Sequence, residues 1–388
     1  MKNWKQLSSA ALILAPLTGW CDESLVAAIN TSQKNNLDQR LQNLEEQAKK
    51  NCFVGCRPEK GIDLFAYADL LIWKIHEELP LAFRVKNPVT GEFPNYTQLL
   101  RDGKARNMNF HWDVGSRVGL GYHTPHEKLD LSLTWLRYFT KAHRHLHESG
   151  EYQLQATQLD PIASALAITP GSGQTEPAFL HVKGSWYAHL NQLDLDLARP
   201  FCIGSWFGVR PHFGIRTTWL RQRLSVSYLD NPNIFSCCGS FPGNYIVHKN
   251  CSWWGIGPEA GVDLNFVLGK GFSLFGNAAG AIEWGFHKTH DKEINLAAID
   301  AGFYSPTVVN VRDFYRMSHP ILDLLLGFRW EHMWDRLHFE LDAGWEYHIY
   351  FSQNRFPYFV SSLATGKFTD ENGDKTFGGW TLSARFDF

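Results

Sequence analysis

Trp380-Thr381-Leu382-Ser383-Ala384-Arg385-Phe386-Asp387-Phe388 alternates strictly between apolar and polar residues. As a β-strand it places Trp380, Leu382, Ala384, Phe386 and Phe388 on one face and Thr381, Ser383, Arg385 and Asp387 on the other. A soluble sheet seldom carries an apolar face out to a terminal residue. A transmembrane β-barrel needs such a strand, because its last strand must pair with its first and leave no open edge in lipid. The alternative is the edge strand of a soluble sandwich, so the decision passes to the rest of the chain.

The same period of two recurs upstream. Leu129, Leu131, Leu133 and Trp135 oppose Asp130, Ser132 and Thr134, and Leu193, Leu195 and Leu197 oppose Gln192, Asp194 and Asp196. Phe207, Val209, Phe213 and Ile215 oppose Arg210, His212 and Arg216, and Ala260, Val262, Leu264 and Phe266 oppose Glu259, Asp263 and Asn265. Leu337, Phe339, Leu341, Trp345 and Ile349 oppose His338, Glu340, Asp342, Glu346 and His348. Such two-faced strands also build sandwiches. The spacing of the breaks separates the two folds. Short breaks at 123–128, 199–204, 268–271 and 332–335 alternate with long ones near 75–105, 143–178, 220–250, 289–317 and 351–376. Outer-membrane barrels are built this way, with short periplasmic turns and long extracellular loops.

The reading is therefore an all-β, transmembrane, antiparallel up-and-down barrel. Segments near 62–74, 106–122, 128–141, 180–198, 204–219, 251–267, 271–288, 318–331, 336–350 and 377–388 give about 10 long strands. Strands inside the long breaks, at 80–85 or 223–229, would raise the count to about 12–14.

Residues 1–21 read as a secretory signal peptide: Lys2 and Lys5 precede a mostly apolar run at 7–17, too short for a membrane helix. Cleavage falls after Cys21 or at Gly19; Trp20 makes Cys21 a poor lipoprotein acceptor. Residues 22–60 are polar, with Leu37, Leu41, Leu44 and Ala48 on a narrow helical stripe, which suits a short coiled coil or a periplasmic spacer helix. The barrel takes 61–388. Aromatics make up 14 % of the chain, with 15 Trp and 27 Phe, enough for girdles at both membrane interfaces. The net charge of −2 argues against nucleic acid as a partner.

Eight segments carry a family resemblance: 63–73 (DLFAYADLLIW), 112–122 (WDVGSRVGLGY), 129–135 (LDLSLTW), 192–197 (QLDLDL), 209–216 (VRPHFGIR), 254–261 (WGIGPEAG), 269–278 (GKGFSLFGNA) and 344–354 (GWEYHIYFSQN). In this order, and with the final strand, the chain resembles the Legionella-type major outer membrane proteins, a family also expanded in chlamydia-related bacteria. Arg199-Pro200 stands where the family pattern suggests Gly-Arg, so that turn differs. The resemblance implies a porin-like or structural surface barrel and supplies no catalytic residues. It also implies recognition of the terminal Phe388 by the outer-membrane insertion machinery, and an envelope cross-linked by disulfides.

In such a barrel the polar faces line the lumen. The lumen candidates are Asp194, Asp196, Arg210, Arg216, Glu259, Asp263, Glu283, Asp323, Arg329, Glu340, Asp342 and Glu346, with Asp63, Asp69, Asp113, Asp130, Glu331, Arg117 and Arg385 on the same faces. Acids outnumber bases, so diffusion of small polar solutes would favour cations. A ten-stranded barrel is narrow, however, and side chains can fill it. The competing expectation is a plugged structural or adhesive barrel without an open channel. A soluble exported β-protein is a third possibility. Cys52, Cys56, Cys202, Cys237, Cys238 and Cys251 are disulfide candidates. With Cys251 at the edge of the third long loop, three thiols fall on each side of the membrane. Pairing within the chain, such as Cys52 with Cys56, leaves one thiol per side for another protein or a homo-oligomer contact. His143, His145 and His147 share one strand face above the membrane, where solvation is the ordinary role and a transition metal the special one. No Asp–His pair stands out as a catalytic site, and no enzyme activity, cofactor or bound metal is expected; the expected partner is outer-membrane lipid.

Overall fold

The computed structural model describes residues 63–86, 103–124, 129–149, 152–160, 178–204, 206–230, 244–296, 306–334, 337–359, 368–370 and 373–388. The signal peptide, the 22–60 helix, Cys52, Cys56, Cys237 and Cys238 lie outside them. The strands are β1 (Leu64–His76), β2 (Pro80–Lys86), β3 (Gly103–Asn107), β4 (Trp112–His123), β5 (Asp130–His147), β6 (Tyr152–Ala156), β7 (Ala178–Phe179), β8 (His181–Ala198) and β9 (Phe201–Ile203). They continue with β10 (Phe207–Leu229), β11 (Tyr245–Gly269), β12 (Phe272–Asn295), β13 (Thr307–Trp334), β14 (Leu337–Asn354), β15 (Pro357–Phe359), β16 (Phe368–Asp370) and β17 (Gly373–Asp387).

Ten of these close into an antiparallel barrel in the order β1-β4-β5-β8-β10-β11-β12-β13-β14-β17. The opening stretch of sequence closes it. β17 pairs with β14 on one side and with β1 on the other, from Phe65 opposite Asp387 to His76 opposite Thr376. One end of the barrel carries the short connections, at 124–129, 199–206, 270–271 and 335–336. The β11–β12 connection is the tightest: Gly269, Lys270 and Gly271 all take positive φ. A Cβ on Gly271 would come within 2.5 Å of the Glu331 carbonyl oxygen, so glycine is required there. This is the turn end; the opposite end is the loop end.

The strand count does not rise to twelve or fourteen. Residues 80–86 do form a strand, but it belongs to a separate four-stranded sheet of order β3-β2-β6-β7. Residues 223–229 continue β10. The wall also reaches far into stretches expected to be loops: β10 runs to Leu229, β11 starts at Tyr245, β12 ends at Asn295 and β13, with 28 residues, starts at Thr307. Crossing a bilayer takes only about 9–11 residues per strand, fewer than half of those in β13.

β8 and β10 invert their polarity part-way. In β8 the outward Leu193, Leu195 and Leu197 face away from inward Gln192, Asp194 and Asp196 near the turn end; toward the loop end Val182, Trp186, Ala188 and Leu190 point inward and Lys183, Ser185, Tyr187 and His189 outward. β10 repeats this, from outward Phe213 and Ile215 over inward Arg216 to inward Leu220, Leu224 and Val226 under outward Arg221, Arg223 and Ser225. Near the turn end an apolar belt therefore covers the outside, with Leu120 66 % and Leu326 61 % exposed, a pattern that water would penalise. Aromatic rings edge it: Trp206, Phe207 and Phe266 on one border, Trp254 stacked on Phe286 (5.8 Å) and Trp345 against Trp380 (5.3 Å) on the other.

At the loop end the inside is mostly apolar, with the ion pairs Lys249–Asp291 (3.4 Å) and Lys375–Glu77 (2.9 Å) buried in it. The four-stranded sheet packs against inward side chains of the wall. Phe110 meets Trp186 edge-on (5.1 Å), and Phe179 lies between Tyr228 and Tyr245. The Tyr228 hydroxyl donates to the Leu81 carbonyl (2.8 Å), and Thr157 and Gln158 donate to that of Pro80 (2.6 and 2.8 Å). Gly184 makes room for this sheet, since a Cβ there would sit 2.7 Å from the Leu81 side chain. The resulting buried cluster draws residues from nine of the ten wall strands, including Trp73, Tyr138, Trp186, Leu224, Trp253, Ile321, Tyr350 and Phe377.

Candidate functional site

All twelve lumen candidates point inward. Eleven of them, all but Glu283, border one cavity of about 290 Å³ in the turn-end half of the barrel, enough for several waters. Glu283 is fully buried beside it and accepts from the Thr218 hydroxyl (2.7 Å). Asp69, Arg117, Asp130 and Arg385 also line the cavity; Asp113 accepts from Thr140 (2.7 Å), and Asp63 opens the first strand with positive φ.

The charges are tied to each other across the barrel. Arg216 of β10 binds Asp194 of β8 (2.9 Å), Glu259 of β11 (2.6 Å) and Asp323 of β13. Asp323 accepts from His348 Nδ1 (2.6 Å), whose Nε2 faces Glu346 (2.9 Å). Glu346 in turn binds Arg117 of β4 (2.6 Å) and accepts from Thr381 of β17 (2.6 Å), and Arg117 reaches Asp69 of β1 (3.2 Å). One continuous chain of charged hydrogen bonds thus crosses the interior. In a low-dielectric setting each link is strong, and removal of one partner strands the others. Nearby, Arg329 binds Asp342 (2.8 Å) and Glu340 (2.7 Å).

A second ring lies toward the turn end. Asp387 accepts from His338 (2.7 Å), Arg385 (2.8 Å) and His123 (3.3 Å), and Asp130 joins His123 (2.6 Å) to Arg210, which also binds Asp263 (2.7 Å). Glu331, His338 and Glu340 bring potential metal-ligand atoms within 4.8 Å of one another. Both ring nitrogens of His338 are already engaged with carboxylates, Asp387 and Glu331, which suits a doubly protonated ring rather than a metal ligand. Eleven carboxylates line the cavity beside five arginines and three histidines.

Sequence reasoning placed His338 and His348 on inward faces without assigning them a role, and left Asp387 and His123 out of the site. These four bridge strands that are distant in sequence. Their alternation gave the face, but only the register sets each opposite its partner. The apolar plug was missed as well. Its signal was present in the chain, because Leu190, Ala188 and Trp186 are in phase with Asp194.

Cys251 is not in a loop. It sits within β11, inward and buried, with Sγ 3.9 Å from His287 Nδ1, because β11 extends beyond the expected segment. Cys202 is on β9 near the turn end. His143, His145 and His147 are exposed on the outer face of β5, where His147 stacks on His181 (4.2 Å).

A family model described as the Legionella pneumophila major outer membrane protein precursor matches residues 71–388. The chain belongs to that family. None of the curated proteins matches it. Among solved structures it is similar to the outer membrane protease OmpT from Escherichia coli, at 11 % identity over 85 % of this chain and 96 % of that one, with a TM-score of 0.40. It is also similar to a Pseudomonas aeruginosa FadL homologue, at 8 % identity over 84 % of this chain and 91 % of that one, with a TM-score of 0.25. No residue role passes from either to this member of the major outer membrane protein family.

Proposed function

We propose that this outer-membrane barrel works as a structural surface protein whose resting state is closed. The turn end faces the periplasm, the loop end the exterior, and the apolar belt the lipid. The observation that carries the reading is the apolar cluster across the loop-end half, drawn from nine wall strands and sealed by the four-stranded sheet. The packed aromatic and aliphatic side chains, with the Lys249–Asp291 and Lys375–Glu77 pairs buried among them, offer water and ions no favourable path.

The acidic cavity favours a second reading. If the four-stranded sheet leaves the barrel, the remaining interior is polar and would pass small solutes with a weak preference for cations. Single-channel recording of the refolded protein in planar bilayers under asymmetric KCl separates the two. A closed barrel gives folded, heat-modifiable protein without discrete steps. Regular steps with a cation-favouring reversal potential would replace the structural reading with the porin one. The protein is expected to show no peptidase activity in either case, which a fluorogenic peptide assay checks.

A further inference from the structure

The outer face of the wall beyond the apolar belt carries charge of a single sign. On β5, β8, β10, β11, β12 and β13 the outward positions toward the loop end include Arg137, Lys141, Lys183, Arg221, Arg223, Lys288, Lys292, Arg312 and Arg316. No outward position of these six stretches is Asp or Glu; Asp313 pairs opposite inward Thr289 and so lies on the other face. The register aligns them. Arg312, His290, Asn250, Arg223, Tyr187 and Lys141 form one row across all six strands, and Lys288, Ser252, Arg221 and His189 another. None of the nine Lys and Arg residues makes an ion pair among the described residues. The chain as a whole is slightly acidic, so this is segregation rather than composition.

Nine cations in neighbouring rows repel one another unless an anion lies over them. The patch begins where the belt's aromatic border ends. Arg316 sits over the rings of Trp284 and Phe286 (5.7 and 5.1 Å) and Lys288 over Phe314 (5.8 Å). That border is the depth at which lipid headgroups lie. Guanidinium pairs bind phosphate through two parallel hydrogen bonds, and the girdle offers the acyl chains an adjoining apolar wall.

We propose that this six-strand patch binds the net-anionic, phosphate-bearing headgroups of lipids in the outer leaflet. It is a lipid-facing surface, separate from the cavity, and a conductance result of either sign leaves it standing.

The test uses the refolded full-length protein in mixed micelles. Retained lipid A and retained phosphatidylcholine are counted by native mass spectrometry, with inorganic phosphate as competitor. Lipid A is expected to be retained and phosphatidylcholine not. Replacing three cations together (R221Q, R223Q, K288Q) should lower retention by about two orders of magnitude, given the typical worth of each basic residue near an anionic surface. The charge-keeping R221K, R223K pair should retain most of it, and heat-modifiable mobility confirms that each variant is folded. Equal retention of the two lipids by the unaltered protein would overturn the proposal. So would unchanged retention in the triple variant. Full displacement by inorganic phosphate would mean a free-anion site instead of a lipid one.

Discussion

The two halves of this barrel are built on opposite rules although the same strands run through both. Near the turn end, β8 turns Leu193, Leu195 and Leu197 outward and Asp194 inward; a few residues on, it turns His189 and Tyr187 outward and Leu190 and Trp186 inward. The strand never changes phase, and only the chemistry of its two faces is exchanged. Each face is fitted to what lies against it. The apolar belt surrounds a charged interior that holds itself together with salt bridges. Above it, polar and basic side chains lie outside and a packed core inside. The loop-end half is thus organised like a soluble β-protein standing on a membrane barrel.

The largest effect should come from breaking the charged half at its hub. Arg216→Met leaves Asp194, Glu259 and Asp323 buried without their shared cation, and should cost about 3–5 kcal/mol in urea unfolding followed by tryptophan fluorescence in lipid vesicles. Removing all four groups together should cost less than removing the arginine alone. In the loop-end half, Leu81→Ala takes out a fully buried anchor of the inner sheet and should cost about 2–5 kcal/mol in the same assay. It should also raise protease sensitivity of the segment between β2 and β3.

A matched pair on one strand face sharpens the comparison. Leu195→Arg puts a charge in the apolar belt and should cost about 2–4 kcal/mol. Ser185→Arg, on the same strand and same face but beyond the belt, should change stability by no more than about 0.5 kcal/mol. Equal costs would mean that the belt does not end between them.

The barrel itself was legible because closure depends on features a chain displays locally: period-two alternation, the spacing of breaks and a last strand with an apolar face. The extent of its strands was not. Apolar-out, charged-in alternation stops in β10 where the polarity inverts and in β12 where both faces turn polar, so 220–229 and 289–295 read as loop although the strands continue through them. Which residues share a strand face was legible too. The way they pair was not, since Arg117 with Glu346 and Arg216 with Asp323 span 229 and 107 residues of chain. The inner sheet was hidden for a similar reason. Its strands are short, and β2 meets β6 across a large part of the first two hairpins.

Closure requires that the loop-end interior exclude water while the turn-end interior admits it. Two single cysteines test this, one in each half: Ala188→Cys in the apolar cluster and Ser383→Cys on the cavity wall. Each detergent-solubilised variant is treated with a small charged methanethiosulfonate reagent, and its labelling rate is corrected for that of the parent protein. Labelling at position 383 with protection at position 188 is the expected outcome. Comparable rates at the two positions would mean that water reaches through the cluster and that the barrel is not closed.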